Sequence, residues 1–365
     1  MGGTRPDDIE TFMLTNAEYR EIREREDVNI MKTLGMKNVE KFLNKIVKHK
    51  LQNSLMIWGA PGIGKSSIVQ SIADKNNLTL IDLRISQLAP TDLRGIPVPS
   101  DDSASWLPPD FLPTSGKGIL FLDEINMAPP AVQGIAQQLI LDRKVGSYKV
   151  PDGWFIWSAG NRKEDFAAVF DMPAPLANRF IHLEVKTSLD EFKNYALHNN
   201  LDDRIISYLN FRPKHLHKID KNSPSWPSPR SWDIANSLLS AGLDVDPAIG
   251  KGCASEFRSF CKVYKTLPDI EPILSGKANP SFPKDLSAKY ALTCALAVRA
   301  KTVKEVENAF LYLDKKGGME WLNQCTYDVC TIWKSKSDTE KLVDMLVAND
   351  KLMQVAERMQ KLLAA

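Results

Sequence analysis

Residues Gly59–Ser66 read GAPGIGKS, a spacing of glycines, lysine and hydroxyl that suits the grip of a polyphosphate. The glycines let backbone N–H groups close around phosphate oxygens, and the N-terminus of a following helix adds a favourable field. Lys65 is expected to reach the β- and γ-phosphates and Ser66 to ligate Mg²⁺. The candidate nucleotide-binding set is Gly59, Ala60, Pro61, Gly62, Ile63, Gly64, Lys65, Ser66 and Ser67. A second cluster closes the apolar run GILFLD, where Asp123 is followed by Glu124. Asp123 suits the Mg²⁺ shell, which makes Ser66 and Asp123 the candidate metal ligands. Glu124 suits the orientation or deprotonation of an attacking water. Binding alone needs only the first acid, so the pair argues for hydrolysis. A third apolar run, WFIWSAGNR, ends in Asn161, a neutral amide able to hydrogen-bond both the water and the γ-phosphate.

These residues need a frame that brings strand ends together. SLMIWG (54–59), LTLIDLR (78–84), GILFLD (118–123), WFIWSAG (154–160) and FIHLEV (180–185) read as strands, and KSSIVQSIADKNN (65–77) reads as a helix. Short, nearly continuous apolar strands alternating with helices imply a parallel sheet with helices on both faces. In such a sheet ligands bind at the carboxyl ends of strands, where the loop, the two acids and the amide would meet. After residue 186 the strand signal fades and helical spacing dominates. The expected organisation is an N-terminal polar arm or helix over 1–38, an α/β nucleotide-binding domain over 39–185, and a helical lid with C-terminal helices over 186–365. One further stretch stands out, SPSWPSPRSW at 223–232. Its prolines give a rigid entry into a helix whose apolar positions are Trp232, Ile234, Leu238 and Leu239, and that entry aims Arg230.

Composition narrows the classes. The net charge of +2 lacks the basic balance of a non-specific nucleic-acid binder, and no nucleic acid is indicated. The five cysteines are odd in number without metal-like spacing, and read as buried or free thiols of a reducing compartment. No secretory or membrane-length apolar run is present, and MGGTRP lacks the hydroxyl that a myristoylation signal needs. A cytoplasmic protein is expected. The pair His215 and His217 has no supporting acid or cysteine cluster and reads as surface.

The order of these pieces resembles an AAA+ ATPase of the P-loop NTPase fold, over roughly residues 39–240. In PAPLANRFIHLEV (173–185), Arg179 resembles the arginine finger that reaches into a neighbouring subunit's site; Arg162, adjacent to Asn161, is a second candidate for an intersubunit contact. Arg230 resembles the sensor-2 arginine of the helical lid, aimed at the γ-phosphate of its own subunit. The long segment ISQLAPTDLRGIPVPSDDSASWLPPDFLPTSGK, with DEINMAPPAVQ (123–133) and LDRKVGSYKVPDGW (141–154), resembles the MoxR-type branch. The long segment resembles that branch's helix-2 insert, near 86–117, and LDRKVGSYKVPDGW resembles the hairpin before sensor 1. Two departures are SAGNR around sensor 1 and Met127 in place of a frequent arginine. The resemblance implies ATP and Mg²⁺ as ligands, a homo-oligomeric ring expected as a hexamer, and chaperone-like remodelling of a client protein. The implied client carries a von Willebrand A domain. The alternative is a nucleic-acid-directed AAA+ motor subunit of a restriction or defence system. A third reading is a regulatory module that binds ATP and hardly turns it over.

Overall fold

Apolar runs such as WFIWSAG and GILFLD cannot leave either row of side chains in water, so they belong in the middle of a covered sheet. The computed structural model describes residues 33–100, 103–165, 169–333 and 339–348 with Leu352 and Val355. It divides into two units, each with its own core. One contains the described residues up to Ala60 together with Lys65–Lys186; the other contains Pro61–Gly64 and the residues from Thr187 onward.

The first unit is built on strands β1 (Thr33–Gly35), β2 (Ser54–Trp58), β3 (Thr79–Arg84), β4 (Ile96–Ser100), β5 (Ser103–Leu107), β6 (Gly118–Asp123), β7 (Lys144–Val145), β8 (Tyr148–Lys149), β9 (Trp154–Gly160) and β10 (Phe180–Lys186). Six of them form one sheet in the order β1-β10-β2-β9-β6-β3, with every pairing parallel. Burial follows the order. All seven residues of β9 are buried, whereas β3, at an edge, is half-buried or exposed along its length. Alternate side chains serve opposite faces. Met56, Leu120, Leu122 and Ile156 pack with Val132, Ala136, Leu139 and Ile140 of the helix Pro130–Asp142. The helices Met36–Lys48 and Lys65–Lys75 contact β10, β3 and β6. This is the parallel α/β sheet that the apolar runs predict, in the P-loop NTPase fold that the resemblance implies.

The structure differs from the sequence reading at the N-terminal boundary. That reading leaves residues up to 38 in a polar arm, but β1 joins the sheet beside β10 and a helix begins at Met36. A three-residue strand has too few positions for a pattern to show. The rest of the proposed arm, 1–32, lies outside the described residues, as does most of the chain after 348. The described residues of the long segment between β3 and β6 form regular elements. They hold a short helix, Pro90–Arg94, and the antiparallel hairpin β4–β5, and the second small hairpin is β7–β8. The two hairpins touch: the Ser147 hydroxyl donates to the Trp106 carbonyl at 2.6 Å, and Arg94 lies 4.8 Å over the Trp106 ring.

The second unit is helical. One of its cores gathers Phe192, Tyr208, Trp232, Phe257 and Phe260, and another gathers Leu296, Phe310, Trp321 and Trp333. A buried ion pair joins distant helices: Lys193 donates to Asp328 at 2.7 Å, and Asn210 donates to the second Asp328 oxygen at 3.2 Å. The five cysteines are free thiols, four of them buried; burial pushes Cys253 and Cys294 up to about 12. Among the described residues no helix is long and apolar enough to cross a membrane.

Tertiary packing overrides the local pattern at two positions. Ile234, one of the apolar positions of its helix, is 49% exposed, because Trp232 and Ala235 set the buried face. His215, taken as surface, is only 12% exposed at its side chain. The Tyr208 hydroxyl and its Nδ1 are hydrogen-bonded at 2.6 Å, and the rings pack at 5.8 Å. Burial holds the imidazole below its ordinary value of 6.5, with Lys218 and Arg212 acting the same way and Glu256 opposing them. The unfolded chain therefore takes up a proton at His215 before the folded one does as the pH falls. Stability should decline below about pH 6.5 and stop declining once the folded form is protonated too. In urea unfolding followed by tryptophan fluorescence, His215→Gln should flatten this part of the stability–pH curve.

Candidate active site

The loop between β2 and the helix Lys65–Lys75 carries the predicted phosphate grip. Lys65 is 9% exposed and its ammonium needs oxygen acceptors to stay charged there. It donates to the Gly59 carbonyl at 2.7 Å, the Ala60 carbonyl at 3.0 Å and Asn161 Oδ1 at 2.9 Å. Ser66 and Asp123 also meet, with the hydroxyl donating to Oδ2 at 2.7 Å. The structure thus brings Lys65, Ser66, Asp123 and Asn161 together from three neighbouring strand ends. Ser67, next in the helix, is exposed.

Pro61–Gly64 group with the helical unit. Gly62 has φ +78°, and a Cβ there would meet Ser228 Oγ at 3.0 Å, so only glycine suits the position. Its carbonyl accepts from the Arg230 backbone N–H at 3.2 Å. Arg230 stands in the first turn of Pro229–Ser240, a helix capped by Ser228, whose hydroxyl accepts from the Ser231 N–H at 3.1 Å. The Arg230 side chain is exposed.

Glu124 follows Asp123 in the left-handed backbone region, with φ +57° and ψ +32°. Such a conformation costs about 1 kcal/mol or more for a non-glycine residue and is typical of functional turns. Two hydrogen bonds orient the acid pair. The Glu124 N–H donates to Asp123 Oδ1 at 2.8 Å, and the Ser86 hydroxyl donates to Glu124 Oε2 at 2.6 Å. Ser86 was not singled out by the sequence reading; it lies in the turn Ile85–Gln87 directly after β3, and β3 pairs with the strand that bears the acids. Asp82, on β3, was also passed over. Partial loss of hydration and then the charge of Asp123 raise its carboxyl above the usual carboxylate range. Since Asp82 is exposed, solvent screens that repulsion.

Asn161 is held from behind by Asn126, the last residue of the DEIN run. The Asn126 amide donates to the Asn161 carbonyl at 2.7 Å, and its Oδ1 accepts from the Asn161 N–H at 3.1 Å. Gly160 makes room for this clamp, because a Cβ there would lie 2.5 Å from Asn126 Oδ1. With Oδ1 of Asn161 facing the ammonium, its amide N–H donates to Met127 Sδ at 3.2 Å. The methionine that departs from the family pattern is thus a weak acceptor for the amide.

The two arginine candidates part company. Arg162 pairs with both oxygens of Asp165 at 2.8 Å and with Glu184 at 2.7 Å; these bonds, led by Asp165, hold its guanidinium well above the usual arginine range. Arg179 is exposed. It follows the short helix Ala174–Ala177 and precedes β10, and no described residue pairs with its guanidinium.

The fit to Mg²⁺ can be judged from the donors. Mg²⁺ favours one or two protein oxygens and takes the rest of its shell from water and phosphate. A hydroxyl and an oriented carboxylate side by side, Ser66 and Asp123, meet that demand.

Residues 54–172 match the model of the AAA domain of the dynein-related subfamily. The match is confined to this stretch and supports ATPase activity. Midasin of Giardia intestinalis is 25% identical over 163 residues, covering 42% of this chain and 3% of that protein. The chain therefore corresponds to a small part of the relative's length. Among solved structures, the Holliday junction branch migration motor RuvB of Thermotoga maritima is 17% identical with a TM-score of 0.39, over 77% of this chain and 86% of that chain. NtrX of Brucella abortus, in complex with ADP, is 15% identical with a TM-score of 0.39, over 95% of this chain and 72% of that chain.

The Asn126 clamp carries a stability consequence. Asn126→Ala leaves a buried N–H and carbonyl of Asn161 without partners, which should cost about 1–3 kcal/mol in denaturant unfolding. Asn126→Asp should not recover this loss, since a carboxylate cannot donate to the Asn161 carbonyl.

Proposed function

We propose that the chain is a Mg²⁺-dependent ATPase of the MoxR type that works as a ring-forming remodeller of a client protein. The observation that carries the hydrolytic part is the acid pair itself. Asp123 is spoken for by Ser66, while Glu124 sits in a strained turn on a single hydroxyl. Ser66 and Asp123 would hold Mg²⁺, which when bound shields the charge of the phosphates. Lys65 exchanges an acceptor for the β- and γ-phosphate oxygens. Asn161, freed on that side, hydrogen-bonds the γ-phosphate and the attacking water. Glu124 leaves Ser86 and takes the water proton as the oxygen bonds to the γ-phosphorus and the bond to the β–γ bridging oxygen breaks. Arg230, beside the loop segment Pro61–Gly64 of its own unit, serves the phosphates that this segment binds.

Assembly into a ring is supported by the contrast between the arginines. Arg162 already has its carboxylates, whereas Arg179 presents an exposed guanidinium without a described partner. A phosphate bound by a neighbouring copy gives that charge a target, and a closed ring, in this reading a hexamer, gives every copy one. Client handling is supported by the β4–β5 hairpin, which leaves Ile96 68% and Leu107 63% exposed as a cross-strand pair. The likeness of DEINMAPPAVQ and of the insert to the MoxR branch favours a client with a von Willebrand A domain.

Two experiments test this reading. Glu124→Gln should keep nucleotide affinity in a fluorescence titration and lose turnover by about 10²-fold or more; turnover near the wild-type rate would remove Glu124 from the chemistry. Arg179→Ala should lower turnover by about 10³–10⁵-fold with ATP affinity largely intact. Mixed with Lys65→Ala subunits, which still carry Arg179, it should regain part of the wild-type rate. No recovery in assemblies shown by native mass spectrometry to be mixed would contradict a trans role for Arg179.

A further inference from the structure

His182 lies on β10, within the sheet and away from the acids. Both of its ring nitrogens are engaged. The Trp58 indole N–H donates to Nδ1 at 2.8 Å, and Nε2 meets the Ala177 carbonyl at 2.8 Å. An indole can only donate and a carbonyl can only accept. The ring is therefore the neutral tautomer with its proton on Nε2, donating to Ala177. It is also packed in place, 11° from coplanar with Trp58 at 6.0 Å and edge-on to Phe180 at 6.1 Å.

The two partners are the interesting part. Trp58 is the last residue of β2, and the next two carbonyls, Gly59 and Ala60, hold the Lys65 ammonium. Ala177 ends the helix Ala174–Ala177, and Arg179, two residues on, leaves that turn with its N–H on the Leu176 carbonyl. One imidazole thus ties the root of the phosphate loop to the turn that presents Arg179. The helix is a single turn and cannot fix its own direction. Without the His182 bond, the Ala177 carbonyl has no side-chain donor among the described residues to hold the turn against the sheet.

We propose that His182 is a positioning residue for Arg179, setting the direction in which the arginine leaves its own subunit and linking that direction to the phosphate loop through Trp58. The proposal rests on the reading of Arg179 as a group acting on a neighbour's phosphate. Its chemistry is specific. What matters for Arg179 is a donor at the Nε2 position; an acceptor at the Nδ1 position serves Trp58 alone.

The test uses mixed assemblies, in which one subunit donates the arginine and the other holds the ATP. Lys65→Ala donors mixed with Arg179→Ala acceptors set the reference rate. Adding His182→Phe to the donor should lower that restored rate by about 10- to 100-fold, the usual cost of misplacing a reacting group by an ångström. Adding His182→Phe to the acceptor instead should lower it by much less. Two polar variants separate positioning from folding. His182→Gln carries an amide to the Nε2 position and should keep the donor competent, whereas His182→Asn reaches only the Nδ1 position and should not. Equal losses from donor and acceptor, or equal behaviour of the Gln and Asn donors, would overturn the proposal and leave His182 as packing. A reference mixture with no restored rate would instead overturn the trans role of Arg179, and the proposal with it.

Discussion

A lysine ammonium with little access to water must find oxygen atoms or lose its charge. Lys65 finds three: two carbonyls that follow β2 and the amide oxygen that follows β9. This constraint explains much of the first unit. It requires β2 and β9 to be neighbours, as the sheet order has them. The amide must be held at a fixed height, which Asn126 does from the end of β6, and β9 must end in a residue without a side chain, which is Gly160. The acids stand one strand further on, next to Ser66 at the head of the same helix that begins with Lys65. In the proposed function, a phosphate replaces acceptors that the lysine already has.

Much of this was legible in the sequence, for a physical reason. Central parallel strands are buried on both faces, so WFIWSAG and GILFLD stand out as unbroken apolar runs, and functional residues of such sheets sit at the carboxyl ends of those runs. The loop pattern, Asp123, Glu124 and Asn161 follow from that rule. What escaped were the partners that meet only after folding. Ser86 is a plain serine in an unremarked turn until β3 pairs with β6 and brings its hydroxyl to Glu124. Asn126 looks like part of a motif, and nothing local says that it grips the backbone of Asn161. Trp58 and His182 are 124 positions apart and meet because their strands are adjacent. His215 has polar and charged neighbours in sequence but aromatic ones in space. In each case the information lies in strand order or helix packing, which no short window contains.

The site also divides its charged groups into those already answered and those left open. Arg162 is matched by Asp165 and Glu184, and Asp123 by Ser66. Among the groups singled out, Glu124 rests on one hydroxyl, while Arg179 and Arg230 present exposed side chains. Charges satisfied within the fold keep the frame rigid, and in the proposed function the charges left over act on the bound nucleotide. The neutral Met127 also serves the frame, since a thioether that accepts from the Asn161 amide keeps its oxygen turned toward Lys65.

Whether the arrangement hydrolyses ATP or only holds it is the central question, and phosphate release by the unaltered protein addresses it most directly. With ATP and Mg²⁺, inorganic phosphate should appear well above the background rate, stop when the metal is chelated and resume when it is restored. Tight binding of Mg²⁺-ATP with no phosphate released, in the assembled as well as the dilute protein, would contradict the account.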